Sequence, residues 1–193
     1  MPSLQAQHCL ITRGICPRLM HLWRLIPTFE IGSLHSQYNL CNVFKPFDNA
    51  LRSYIQSMSQ YHKISNEAWT IATLPFNFGG LGLTTWEHTK DPAFLASYHV
   101  TNKSICRLFP TLPNPLQPPT QHPDSNSHPI STAAHFAFLR LNHSNPSISN
   151  LIKDYDPTST THPIRHLQHK LTNLVSKTRH EKLANLSNPR NRS

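Results

Sequence analysis

Apolar residues recur along most of the chain at helical rather than strand spacing. Leu4, His8, Ile11 and Ile15 form one short pattern. Leu19, Leu22, Trp23 and Ile26 form a second, behind Pro17 at a first-turn position, and Pro27 stops it. Ser33 is placed to cap a third helix with Leu34, Tyr38 and Cys41 facing inward. The clearest helix spans 47–59, where Phe47, Ala50, Leu51, Tyr54, Ile55 and Met58 fall on one stripe. That stripe reads as core, so Tyr54 and Met58 are not taken as parts of a ligand site. Ser65 is the expected cap of a helix over 66–74, ended by Leu74-Pro75. Thr84 and Glu87 have capping-box spacing, and Asp91-Pro92 is expected to open a helix carrying Phe94, Tyr98, Ile105 and Leu108.

The pattern changes at Pro110. Residues 110–163 hold ten of the 17 prolines, interspersed with Ser, Thr, Asn and His, which reads as an extended linker. Only Ala133 to Leu141 interrupts it, with apolar content for about two helical turns. A last amphipathic helix is expected over 164–186, with Ile164, Leu167, Leu171 and Leu174 on its inner stripe. With five glycines and no hairpin dipeptide, strand signals are poor. The expectation is a mainly α protein. A small helical bundle over 1–109 is followed by a largely disordered Pro/Ser/Asn/His-rich linker over 110–163, then a detached basic amphipathic helix and tail over 164–193.

Composition sharpens this picture. Apolar residues make up 37% of the chain and charged residues 14%, against about 45–50% and about 25% in an average domain. The core is therefore expected to be small and stability marginal. The net charge of +9 is unevenly spread: 164–193 carry seven Lys/Arg against Glu181 alone, whereas 111–163 are slightly acidic. A basic end suits phosphate contacts, although it contains no aromatic on which a base could stack. No apolar run nears the roughly 20 residues that span a bilayer. Pro2 to Leu10 has no apolar core of the kind export signals carry. The expectation is an intracellular protein whose four cysteines are reduced thiols.

Candidate chemistry is sparse. Gly79, Gly80 and Gly82 lack the following lysine of a phosphate-binding loop and the preceding strand of a dinucleotide fold, so a tight turn explains them better. His162, His166 and His169 would share one helix face, but no cysteine or carboxylate on that face completes a zinc shell. Asp154 and Asp156 sit in Ser/Thr/Pro sequence and read as turn chemistry rather than a two-metal site. There is no nucleophile elbow. No catalytic residue, metal site or cofactor is assigned.

Several pieces then join in order. Cys16 to Pro27 resembles the helix just after the polymerase core of non-LTR retrotransposon reverse transcriptases. Phe47-Asp48-Asn49-Ala50-Leu51 looks like the family's next amphipathic helix. Ala68 to Pro75, followed by Gly79-Gly80-Leu81-Gly82-Leu83, resembles its LP…GGLGL signature, and Asp91 to Tyr98 is similar to the helix beyond. The likeness covers roughly residues 3–109 and implies a thumb and post-thumb segment. The family's paired catalytic aspartates lie upstream of it, so the resemblance implies a chain without an active site of its own. Such a segment holds a nucleic-acid duplex or hybrid through Arg and Lys on phosphates, without reading bases. Arg13, Arg18, Arg24 and Arg52 are the candidates in the bundle, and Arg165, Lys170, Lys177, Arg179 and Lys182 those in the last helix. The alternative is a protein-interaction module that docks through the apolar stripe of the C-terminal helix.

Overall fold

A computed structural model describes residues 3–26, 44–59, 63–109, 129–159 and 161–187. Among them every regular element is helical, as the apolar spacing predicts. In chain order the α-helices are α1 (Leu4–Cys9), α2 (Cys16–Trp23), α3 (Lys45–Ser59), α4 (Asn66–Ala72), α5 (Trp86–Leu108), α6 (Pro129–Ser144), α7 (Ser147–Asp154) and α8 (Pro163–Ser187). The helix proposed from Ser33 lies outside the described residues.

The two N-terminal patterns form one continuous rod. α1 passes through a π-helical turn, Leu10–Ile15, directly into α2, and the Cys16 N–H donates to the Ile11 carbonyl five residues back. Pro17 explains the widened turn. It has no N–H, and in a regular helix its ring would crowd the carbonyl of Arg13. Ser3 caps the start, its hydroxyl accepting from Ala6 N–H at 3.3 Å.

Ser65 caps α4 as expected, accepting from Ala68 N–H at 3.1 Å. The glycine segment then folds back on that helix. Leu81 N–H donates to Ala72 O at 3.2 Å and Gly82 N–H to Leu74 O at 2.9 Å, which satisfies carbonyls the helix end leaves open. Gly79 sits in the left-handed region at φ 77°. At Gly80 a Cβ would stand 2.0 Å from the Leu74 carbonyl oxygen, so only glycine fits.

α5 is the axis of the molecule, and its start differs from expectation. It begins at Trp86 and runs through Pro92 instead of opening there. The capping box between Thr84 and Glu87 does not form. Asp48 of α3 caps the helix from outside, accepting from Trp86 N–H at 2.8 Å and Glu87 N–H at 3.0 Å. With that end held from a distance, the helix tolerates one missing bond at Pro92. Burial all round α5 dominates: Trp86, Ala93, Leu95, Ala96 and Val100 are all buried.

The largest departure is in the tract read as linker. Residues 110–128 lie outside the described residues, but 129–159 and 161–187 are largely helical and packed. The four described prolines of the tract mark helix starts. Pro129 and Pro163 are the first residues of α6 and α8, Pro146 precedes α7, and Pro157 opens a 3-10 turn. Each occupies a position where no N–H is required, so proline density here punctuates helices and does not prevent them. α8 is likewise not detached. Leu167 and Leu171 are 0% exposed and pack with Leu95, Val100, Phe138, Leu141, Ile148 and Ile152 in the main core. The apolar stripe on which the partner-docking alternative rests is thus filled by the chain's own core.

Another core lies at the other end of α5. Trp23, fully buried, meets Trp86, Phe44 and Phe47 edge-on at 5.8 to 6.3 Å between ring centroids. Beside it, Leu51 is buried, and Ile55 packs with Ile64, Ala72 and Leu83, so the α3 stripe is core as expected, except that Ala50 is exposed.

Candidate nucleic-acid interface

The N-terminal rod and the polar face of α8 face each other across a cleft. On α8, Arg165, Gln168, His169, Thr172, Ser176 and Arg179 recur at helical steps on the side away from the Leu167–Leu171 stripe. Thr12, Arg13, Cys16, Met20 and Arg24 line it from the rod, with Thr84 at its floor. The cleft has two lobes of about 480 Å³ each, which share Thr12, Thr84, His169 and Thr172. One lobe holds Arg24 and Arg165, the other Arg13 and Arg179, and no carboxylate lines either.

Two of these arginines are seated by neutral partners. Arg24 Nε donates to Gln168 Oε1 at 2.8 Å, and Gln168 Nε2 donates in turn to the Met20 sulfur. Burial lowers the pKa of Arg24, and the nearby Arg165 adds to the effect. Arg179 donates from Nη2 to Thr73 Oγ1 at 2.6 Å and to Thr70 O at 3.3 Å. Burial brings its pKa down to about 10, with Glu87 pulling weakly the other way. Among the described residues no carboxylate lies within ion-pair distance of either guanidinium. A desolvated cation without a counter-ion favours an incoming anion. Arg13 and Arg165 are exposed.

The structure thus gathers Arg13, Arg24, Arg165 and Arg179 of the expected set and disperses the rest. Arg52 is used locally: its Nη2 donates to Ile64 O at 2.9 Å and Asn66 Oδ1 at 3.0 Å, with the guanidinium over the Trp69 ring. Lys170 lies over the Tyr155 ring, on another side of α8 from the cleft. Lys182 lines separate grooves beside Glu67 and beside Asp91. Arg18 and Lys177 are exposed and line neither lobe.

The glycine turn offers no phosphate cradle, because the N–H groups of Phe78 to Gly82 all donate to backbone carbonyls of the turn and of the end of α4. The histidine face on α8 is divided. His166 Nδ1 pairs with Tyr155 OH at 3.3 Å, and His169 Nε2 with Asn173 at 3.1 Å. Among the described residues no group of three His, Cys, Asp or Glu is arranged to hold a metal ion. Asp156 accepts from the N–H and hydroxyl of Thr158 at 2.9 and 2.7 Å, the turn chemistry expected of it.

Three features escaped sequence reasoning. Arg140, inside the supposed linker, forms a two-pronged ion pair with the buried Asp91, at 2.9 and 2.7 Å. His88 is held neutral, its pKa down to about 3, by burial first and then by Arg179 and Lys90. Phe76 is 68% exposed at the mouth of the cleft. The Phe76 signal was present as an aromatic beside a glycine turn; the other two had none, because their partners are distant in sequence.

No family model, curated protein or solved structure matches the chain. Among the described residues no helix is long and apolar enough to cross a membrane.

Proposed function

We propose that the chain is a helical, nucleic-acid-binding segment similar to the thumb and post-thumb region of non-LTR retrotransposon reverse transcriptases. It carries no polymerase active site and binds sugar-phosphate backbone without reading sequence. The observation that carries this reading is the cleft between the N-terminal rod and α8, lined by Arg13, Arg24, Arg165 and Arg179 and by no carboxylate. Guanidinium groups on rigid helices fix a phosphate backbone in place. The counterions released make the affinity fall with salt.

The test is a titration of fluorescent nucleic acids against the full chain at several salt concentrations. Binding should weaken linearly on a logarithmic salt scale. The double variant Arg13→Gln/Arg165→Gln should flatten that slope by about 2. Lys177→Gln, which removes a single charge outside the cleft, should change it far less. Salt-independent binding, or none, would overturn the proposal.

A further inference from the structure

The cleft holds more than charge. At the lobe containing Arg13 and Arg179, Phe76 presents its ring at the mouth. The ring lies so close against Gly82 that a Cβ there would approach its Cε2 to 2.7 Å, so the backbone supports one side of the ring. His8 meets the ring edge-on at 6.2 Å. With that support Phe76 remains 68% exposed, more than Phe109 or Phe136. An exposed ring beside arginines suits a stacked base whose phosphate is held nearby.

A polar group at the same lobe is open to a ligand. Both hydrogen bonds of Arg179 come from Nη2, which leaves Nε and Nη1 without an acceptor among the described residues. A lobe of about 480 Å³ is of nucleotide size, and a base that stacks on an exposed ring is one drawn out of a duplex.

We infer that this lobe is a seat for one nucleotide of a single strand, with the base on Phe76 and the phosphate between Arg13 and Arg179. The inference rests on the nucleic-acid reading above and narrows it to unpaired strand.

The experiment compares a thymidine oligonucleotide, the same length of abasic strand, and a duplex, each titrated by fluorescence anisotropy against the full chain. The expected result is tighter binding of the thymidine strand than of the duplex or the abasic strand. Phe76→Ala should weaken the thymidine strand by about tenfold, the loss of one stack, with the salt slope unchanged. Phe76→Tyr, which keeps a ring, should restore it. Salt-dependent binding that Phe76→Ala leaves intact, or a duplex bound as tightly as the strand, would overturn the seat and leave the cleft's general role standing. Absence of salt-dependent binding to all three probes would overturn both.

Discussion

Two regions pack against the same central helix, and they are held by different means. The N-terminal region, α1 to α4 with the glycine turn, meets α5 through rings: Trp23, Phe44 and Phe47 around Trp86. The C-terminal region, α6 to α8, meets it through aliphatic side chains, with Ile148, Ile152, Leu167 and Leu171 essentially inaccessible. The N-terminal region carries the motifs with a recognisable order, whereas the C-terminal one has the composition of a linker over much of its length. Yet the larger core is in the C-terminal region. Motif order and packing are therefore separate properties. The N-terminal region supplies one wall of the cleft, and the C-terminal one supplies the other wall and much of the burial that holds it in place.

The comparison breaks most sharply if the C-terminal region is a dispensable appendage. Ile152→Ala and Leu171→Ala each remove a fully buried side chain and should cost about 2–5 kcal/mol in a urea unfolding titration. Unfolding that leaves the N-terminal helicity in place would show that the two regions are independent. Next in size is the ion pair that ties α6 to α5. Arg140→Leu leaves the Asp91 carboxylate buried without its guanidinium, and should cost about 2–3 kcal/mol. Asp91→Asn with Arg140→Leu should recover part of that loss.

A smaller effect separates the two candidate caps of α5. Asp48→Ala should cost about 1–2 kcal/mol, while Thr84→Ala should change stability by less than about 0.5 kcal/mol, since its capping box does not form. Equal losses would return the cap to the local sequence. The effect of pH stands apart from these substitutions, because it grows steadily toward the acid side. Burial holds His88 and His99 neutral, with pKa values brought down to about 3 and about 4 from 6.5, and Lys90, Arg179 and Lys103 nearby add to it. Below pH 6.5 the unfolded chain binds protons that the folded chain refuses. Stability should fall as the pH drops from 6.5 toward 4, with about two protons taken up on unfolding. Asp48, whose carboxyl is raised by burial, acts in the opposite sense at the acid end. A flat profile between pH 7 and 5 would mean that both imidazoles reach water.

Much of the helical architecture was legible, for a physical reason. The α3 stripe, the Ser65 cap and the Leu167–Leu171 spacing depend on neighbours within one or two turns, which is where periodicity and capping operate. Half of the cleft was legible as well: Arg13, Arg24, Arg165 and Arg179 were candidates before any partner was known. What separates them from Arg52 and Lys170 is which face each helix turns to its neighbours, and that depends on how α8 lies along α5. Over 129–163 the proline-rich tract misled for the opposite reason. A proline says only that an N–H is missing, and helix starts and linkers share that property.

From sequence alone came a helical chain with little strand potential, a tight turn at the glycines, a basic end, and Asp156 as a turn residue. These follow from local sterics, hydrogen bonding and charge, which need no distant partner. Tertiary structure alone decided that α8 is core and not an arm, that Asp48 caps α5 across 38 residues, that Asp91 finds Arg140, and that arginines from both ends of the chain share one cleft. Each of these joins groups that approach only after burial of the α5 surface has drawn the two regions together.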